Sequence, residues 1–224
     1  MKIGIIGAMD VEVNPLIGRI EVMGRTHRSC LNFVEGRYNE IDVVVVSSGP
    51  CKVNATIATQ ILIDKFEVSH VIMCGVAGAI DSSLKMFDTV IATESVYHDV
   101  DDTILKNYHP KMDSIYFSSD ETMLEAFKSI SDNSIYFGVI VSGEAFIEED
   151  GRDEIIANFN PLCVDMETTA VSHSCFVNNI PFVAIRSMSD TPSESGVDVF
   201  RKNCAEAALK SVDVLCKYLD SFSK

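Results

Sequence analysis

The chain has no tryptophan and no Cys-x-x-Cys pair. Its seven cysteines are an odd number without the spacing of a zinc site or a disulfide framework. Most of them stand among apolar residues, where a free thiol behaves as a small buried side chain. They are Cys30, Cys51, Cys74, Cys163, Cys175, Cys204 and Cys216. We therefore expect free thiols, no metal centre and no cofactor.

Long apolar runs are also missing. The longest stretch without a charged residue, 168–185, is interrupted by His173, Pro181 and several serines and asparagines, whereas a membrane-spanning helix needs about 20 apolar residues. The apolar segment after Met1 is too short for a signal peptide. These absences predict a cytoplasmic protein that does not enter a membrane.

Basic residues are few, with 18 Lys and Arg against 33 Asp and Glu and a net charge of −15. Such a field repels phosphate backbones and anionic lipids, which disfavours nucleic-acid and membrane-surface binding. The 224 residues are 47% hydrophobic, enough to build a core. Because neither repeats nor a linker interrupt the chain, we expect a single domain over residues 1–224.

Short apolar, β-branched segments alternate with helical candidates. Several are apolar at consecutive positions, as at 43–46, which is typical of strands covered by helices on both faces. Strands are predicted at Lys2–Gly7, Asp42–Ser48, His70–Cys74, Thr89–Tyr97, Ile135–Ser142, Leu162–Met166 and Pro181–Ser187, and helices at Lys52–Lys65, Ser118–Ser131, Thr168–Asn178 and Val197–Phe222. This order predicts an α/β fold with three α/β/α layers around a central mixed sheet.

Acidic residues gather where several predicted strands end, at the edge where α/β sheets bind ligands. Asp165 and Glu167 end one strand, Glu12 follows the first, and Asp190 closes the strand that carries Arg186. Carboxylates that share a crevice cannot all ionise easily, so at least one should have a raised pKa and serve as a general acid. Taken singly, each is equally explained as a cap or first-turn acid of a helix.

Two further segments are ambiguous. The glycines of Gly75-x-x-Gly78 would let a ligand approach the backbone closely, but a tight strand-to-helix turn explains them as well. The run from Tyr97 to Asp102 contains a histidine and three aspartates, and it indicates a polar loop rather than a metal site. Because the chain has no G-x-S-x-G segment, covalent catalysis lacks support.

Together these segments resemble the 5′-methylthioadenosine/S-adenosylhomocysteine nucleosidases of the purine nucleoside phosphorylase-like superfamily. The resemblance spans nearly the whole chain. Its motifs occur in order as 1–9 with Glu12, Gly75-x-Ala77-Gly78, Tyr97-His98-Asp99, 141–147, Asp165-Met166-Glu167, Pro181-Phe182-Val183 and Arg186-x-x-Ser189-Asp190. The resemblance implies hydrolysis of 5′-methylthioadenosine, S-adenosylhomocysteine or another 5′-substituted adenosine to adenine and the sugar, as in methionine salvage.

The resemblance also implies catalytic roles. Asp190 would protonate the adenine, Glu167 would bind the ribose hydroxyls and favour an oxocarbenium-like transition state, and Glu12 would be the base that activates water. Arg186 would help to hold that water. The residues expected to bind substrate are Ala8, Met9, Val76, Ala77, Gly78, Phe146, Ile147, Asp165, Met166, Arg186 and Ser189. Considered alone, Phe146 and Met166 are equally typical of core packing.

A phosphate-dependent purine nucleoside phosphorylase is the alternative enzyme, and a non-enzymatic nucleoside-binding protein is the third candidate. Phosphorylases bind phosphate through several arginines, whereas here only Arg186 belongs to a pocket motif. A glutamate facing the site would also repel phosphate, so hydrolysis is favoured. A mere binding protein would tolerate loss of the three catalytic acids, and all three are present.

This chain departs from the family pattern at several positions. Val76 replaces a common serine, Asp165 replaces a longer acid, and Val197 stands where an aromatic often closes over the substrate, a role that Phe200 is expected to take instead. The resemblance further implies a homodimer in which a loop containing Ile104-Leu105 approaches the partner's pocket.

Overall fold

Ten strands form one mixed β-sheet in the computed structural model, which describes residues 1–130, 132–148 and 150–223. The strands are β1 (Lys2–Gly7), β2 (Glu21–Arg28), β3 (Leu31–Tyr38), β4 (Ile41–Ser47), β5 (His70–Ala79), β6 (Thr89–Tyr97), β7 (Phe117–Ser118), β8 (Ile135–Ser142), β9 (Cys163–Asp165) and β10 (Phe182–Asp190). The helices are α1 (Asp10–Ile17), α2 (Lys52–Phe66), α3 (Asp102–Asn107), α4 (Glu121–Ile130), α5 (Arg152–Phe159), α6 (Thr168–Asn178) and α7 (Val197–Asp220).

Helices cover both faces of the sheet, which confirms the predicted α/β class. On β4, Val44 and Val46 pack on the side of α2 and α6, whereas Val43 and Val45 pack on the side of α1, α4 and α7. All four valines are at most 1% exposed. Burial of each such side chain contributes roughly 1.5–3 kcal/mol, so the consecutive apolar positions are explained by the two helical layers.

Part of the sheet closes on itself, which the sequence analysis did not predict. β10 lies parallel to β5 and antiparallel to β6, and β6, β8, β9 and β5 continue the pairing in that order. These five strands therefore form a ring. From β5 the sheet extends through β1, β4 and β3 to β2.

Several sequence-based boundaries were wrong. β2 and β3 were not predicted, and the helix expected from Ser118 begins at Glu121 because Ser118 belongs to β7. The strand expected to end at Cys74 continues to Ala79. Consequently the segment Gly75–Gly78 is not a tight turn but part of a strand that pairs with β10 along its length.

The segment after β6 agrees with the polar-loop interpretation, since residues 98–101 join β6 to α3. Within α3, Ile104 is 46% exposed but Leu105 is buried against the core. The pair was predicted to be interfacial, and the burial of Leu105 leaves only Ile104 free to contact a partner. In the described part of the chain no helix combines the length and apolarity that a bilayer crossing requires.

Candidate active site

A cavity of about 240 Å³ opens where β1, β5, β9 and β10 end, beside the loop after β8. Every site residue expected from the sequence lines it except Arg186. The lining residues are Ala8, Met9, Glu12, Pro50, Val76, Ala77, Gly78, Ala145, Phe146, Ile147, Val164, Asp165, Met166, Glu167, Ser189, Asp190 and Phe200. Pro50, Ala145 and Val164 were missed, because none of them carries a chemical group that would mark it in sequence.

Arg186 lies immediately beneath the cavity and is completely buried. Its Nη2 is 2.7 Å from Asp165 Oδ2 and 3.3 Å from Glu167 Oε2, and its Nη1 is 3.7 Å from Glu12 Oε1. A buried cation needs such partners, because transfer of an unpaired charge from water into a protein interior is costly. One guanidinium thus gathers three carboxylates from α1, β9 and the start of α6.

Asp165 is held from both sides of its carboxylate. Ser142 Oγ donates to Oδ1 at 2.5 Å, the amides of Glu167 and Thr168 donate to the same oxygen, and the Thr168 hydroxyl donates to Oδ2. Arg186 Nε in turn donates to Thr168 Oγ1 at 3.1 Å. Ser142 and Thr168 were not predicted as site residues, although Ser142 lies within the motif 141–147 and Thr168 directly follows the motif Asp165-Met166-Glu167. Their contacts indicate that Asp165 anchors the arginine.

Glu12 sits in the first turn of α1 and is 1% exposed. Its Oε1 accepts a hydrogen bond from the Val76 amide and its Oε2 accepts one from the Met9 amide, each at 2.8 Å. Burial raises the pKa of this carboxyl, although Arg186 and the amides oppose the shift. A carboxyl whose pKa is raised holds a proton more readily than an exposed one, which suits a group that accepts and returns a proton.

Glu12 Oε1 and Arg186 Nη1 both lie close to Gly75 on β5. A Cβ on Gly75 would collide with Glu12 Oε1 and with Arg186 Nη1, so glycine is required there. Arg186 Nη1 is buried and makes no hydrogen bond to any described residue. An orphaned donor beside a carboxylate is a suitable place for a water molecule.

Glu167 is the N-cap residue of α6, but its side chain does not cap that helix. Its Oε1 accepts from the Cys51 amide at 2.9 Å and its Oε2 accepts from Arg186 Nη2 at 3.3 Å. The pKa of Glu167 is raised to about 7, mainly by burial; Arg186 and the Cys51 amide oppose the shift, and the charges of Asp165 and Glu12 add to it. The carboxylate is thus directed into the cavity, which the helix-cap interpretation does not explain.

Asp190 ends β10 and is 1% exposed. Ser189 Oγ donates to its Oδ1 at 2.8 Å, and a Cβ on Gly78 would lie 3.0 Å from its Oδ2. Burial raises the pKa of Asp190, although the hydrogen bond from Ser189 and the charge of Arg152 oppose the shift. A carboxyl in such surroundings can keep its proton and donate it.

Two aromatic rings face each other at the mouth of the cavity. Phe146 is 39% exposed and its ring meets Phe200 edge-to-face, with centroids 5.9 Å apart and planes at 74°. Core packing therefore does not explain Phe146. Val197 is 39% exposed and does not line the cavity. Phe200 thus brings an aromatic ring to the cavity, whereas Val197 does not reach it.

The amino-acid sequence is similar to that of a known protein family and of individual relatives. The sequence profile of the phosphorylase superfamily matches residues 2–220. The chain is 36% identical over 233 residues to a 5′-methylthioadenosine/S-adenosylhomocysteine nucleosidase of Geobacillus sp. (strain WCH70), and the match covers 100% of both chains.

Two solved nucleosidase structures are similar throughout. The enzyme from S. pneumoniae with the transition-state inhibitor MT-ImmA has a TM-score of 0.90 and 31% identity, covering 98% of each chain. The enzyme from Colwellia psychrerythraea 34H in complex with adenine has a TM-score of 0.89 and 34% identity, covering 98% of this chain and 95% of that one. The similarity therefore includes the whole framework that positions the cavity.

Proposed function

This chain belongs to the phosphorylase superfamily and, within it, to the 5′-methylthioadenosine/S-adenosylhomocysteine nucleosidases, and we propose that it hydrolyses the N-glycosidic bond of 5′-methylthioadenosine, S-adenosylhomocysteine or other 5′-substituted adenosines. The products would be adenine and the 5′-substituted ribose. The proposal rests on one observation: three buried carboxyl groups with raised pKa values, Glu12, Glu167 and Asp190, surround one cavity.

Cleavage of this bond requires that adenine leave as a neutral base. Asp190 is the proton donor, because its burial favours the protonated carboxyl and Ser189 fixes the orientation of the group. The proton goes to the adenine ring as the bond breaks. Phe146 offers a ring on which the base stacks, and the backbone of Ile147 beside it reads the edge of the base.

The sugar develops positive charge in the same step. Glu167 lines the cavity and carries the negative charge that stabilises an oxocarbenium-like transition state, while its oxygens bind the ribose hydroxyls. Met166 and Met9 form the apolar floor under the ribose. Glu12 then takes a proton from a water that contacts both its carboxylate and Arg186 Nη1, and that water adds to the sugar.

Hydrolysis fits the cavity better than phosphorolysis. Within the described residues, neither lysine nor arginine lines the cavity, and Arg186 is already engaged with acidic partners. A phosphate dianion would approach Glu12 and Glu167 without a free cation to offset their repulsion. Water carries no charge and meets no such barrier.

Exposed apolar side chains on two adjacent helices support the expected homodimer. Val53 and Ile57 on α2 are 68% and 42% exposed, and Phe176 and Val177 on α6 are 52% and 43% exposed. Contiguous apolar surface of this kind is typical of an interface between subunits. We propose that a second copy of the chain covers this face and that Ile104 contacts that copy. We also propose that the enzyme works in the cytoplasm. Full activity of a monomer in sedimentation and assay would contradict the dimer.

The decisive assay follows adenine release from 5′-methylthioadenosine in phosphate-free buffer and again with phosphate added. We expect adenine and free methylthioribose at equal rates in both. A sugar 1-phosphate formed only with phosphate would make the protein a phosphorylase. If neither buffer gives adenine from 5′-methylthioadenosine, S-adenosylhomocysteine or another 5′-substituted adenosine such as 5′-deoxyadenosine, the proposal is wrong.

A further inference from the structure

Three chain segments meet at the rim of the cavity through one set of polar contacts. They are the turn 50–52 before α2, the loop 98–99 after β6 and the loop 143–147 after β8. We refer to the three charged residues that join them, Lys52, Asp99 and Glu144, as the rim bridge. None of the three lines the cavity.

The contacts of the rim bridge are short and reciprocal. Lys52 Nζ lies 2.9 Å from both carboxylate oxygens of Asp99, and Asp99 Oδ2 also accepts from the Glu144 amide at 2.9 Å. The Lys52 amide donates to Glu144 Oε1 at 3.1 Å. Asp99 is thus the acceptor shared by two segments, and it fixes the backbone two residues before Phe146.

The turn before α2 is strained. Cys51 has φ +80° and ψ 160°, a conformation that L-residues rarely adopt and that costs about 1–3 kcal/mol. Such a conformation persists only where the surroundings enforce it. The neighbouring Lys52 is held by hydrogen bonds from both its amide and its ammonium group. In this conformation the Cys51 amide points to Glu167 and donates a hydrogen bond to it at 2.9 Å.

The loop after β8 is fixed at its other end as well. The Gly143 amide donates to the Asp165 carbonyl, and the His98 amide donates to the Ser142 carbonyl. The His98 ring occupies the space that a Cβ on Gly143 would need. The loop that carries Phe146 is therefore held both at β8 and at the rim bridge.

We propose that Asp99 and Lys52 are positioning residues for the reaction. Their ion pair enforces the conformation of Cys51, which directs the Cys51 amide at Glu167. The same ion pair holds the loop 143–147, which presents Phe146 to the base. The proposal rests on the proposed nucleosidase function. An ordinary surface pair would contribute little, because exposed ion pairs are worth roughly 0–1 kcal/mol. Here the side chains are only 19% and 28% exposed, and the two segments that Asp99 contacts, the turn 50–52 and the loop 143–147, both reach the cavity.

The test uses the full chain with Lys52→Met, Asp99→Asn and the double variant. Lys52→Arg serves as the conservative replacement, and Asp213→Asn, which breaks the exposed Arg19–Asp213 pair at the other end of α7 from Phe200, serves as the control. We expect Lys52→Met and Asp99→Asn each to lower kcat/KM about tenfold. The double variant should have a kcat/KM little lower than either single variant, since both substitutions break the same ion pair. Lys52→Arg and the control should stay within about twofold of the natural protein.

A purely structural role would not move the pH profile. Glu167 faces Arg186, Asp165 and Glu12, and all the variants retain these three side chains. Glu167 also accepts a hydrogen bond from the Cys51 amide, and we expect Lys52→Met and Asp99→Asn to lose that bond. Loss of that donor disfavours the ionised carboxylate, so the acidic limb of kcat/KM should move about one pH unit upward in Lys52→Met and Asp99→Asn. Variants that melt earlier but keep the rate and limb of the natural protein would overturn the proposal.

Amide hydrogen exchange separates this proposal from the proposed function. In Asp99→Asn, the Cys51 and Glu144 amides should exchange at least about tenfold faster than in the natural protein, whereas the Val76 amide, bonded to Glu12, should not change. Unchanged protection at Cys51 would refute the positioning role even if the enzyme is active. Faster exchange in a protein that releases no adenine would refute the nucleosidase function alone.

Discussion

Arg186 Nη2 and Asp165 Oδ2 lie 2.7 Å apart, and neither side chain is more than 2% exposed. The pair joins the centre of β10 to the end of β9, two strands that are not neighbours in the sheet. Glu12 and Glu167 complete the surroundings of the same guanidinium. Because Arg186 is fully buried, its positive charge is balanced by these three carboxylates together. A change in any one of them is therefore expected to affect the other two.

Asp165→Asn is expected to destabilise the fold. The amide cannot balance the charge of Arg186, and breaking a buried ion pair by removing one partner costs about 3–5 kcal/mol. The free energy of unfolding in denaturant measures this loss. Asp213→Asn breaks an exposed pair and should cost at most about 1 kcal/mol. Equal losses in the two variants would show that Asp165 is dispensable for holding Arg186.

Gly75→Ala should damage the site directly. The added methyl group would collide with Glu12 Oε1 and Arg186 Nη1, displacing the carboxylate and the water proposed beside these atoms. We expect kcat/KM to fall at least about 100-fold, because small misplacements of reacting groups carry large penalties. Gly24→Ala, where the nearest atom to a new Cβ is 3.9 Å away, is the matched control and should keep full activity. An active Gly75→Ala enzyme would exclude the water site.

Asp190→Asn should abolish cleavage while the protein remains folded. An amide can accept the hydrogen bond from Ser189 but cannot donate a proton to adenine, and general acids typically contribute 10²–10⁴-fold in rate. Adenine release and the thermal midpoint should be measured on the same preparation. Undiminished turnover by folded Asp190→Asn protein would remove Asp190 from the mechanism.

Glu167 should make stability depend on pH. In the unfolded chain this carboxyl loses its proton near 4.5, whereas burial raises its pKa in the folded protein to about 7. Between these values the folded state holds the extra proton, so the free energy of unfolding falls as the pH rises from 4.5 to 7. Glu167→Gln should flatten that slope by up to about 1.4 kcal/mol per pH unit.

Unfolding curves at several pH values between 4.5 and 7 provide the measurement. Glu12 and Asp190 also have raised pKa values and remain in the variant, so a smaller slope should persist. A slope identical to that of the natural protein would mean that Glu167 ionises in the folded state as freely as in the unfolded chain.

The two helical layers and most strands were predictable because consecutive apolar residues have few alternatives to burial. The β2–β3 hairpin was missed for a local reason. Its two-residue turn is formed by Ser29 and Cys30, with φ 51° and 62°, where asparagine and glycine are the usual residues. β2 is also largely exposed, so hydrophobic patterning did not reveal it.

The cavity lining was predictable because the motifs that line it end or follow strands at the same edge of the sheet. The hydrogen-bond partners of those residues were not. Glu167 accepts a hydrogen bond from the amide of Cys51, 116 residues away in sequence. That amide faces Glu167 because Cys51 has a positive φ, which the identity of the residue does not predict. Gly75 and Gly78 were taken as compatible with a turn, whereas they remain in a strand so that Glu12, Arg186 and Asp190 can approach it.

The terminal position of β2 has a consequence for the behaviour of the protein at high concentration. β2 pairs with β3 on one side only, and its register shifts between Val22 and Gly24. Arg25 and Arg28 on the same strand are exposed. Irregular, charged edges resist the addition of a strand from another molecule. Together with a net charge of −15, this edge should protect the protein from fibrillar aggregation near neutral pH.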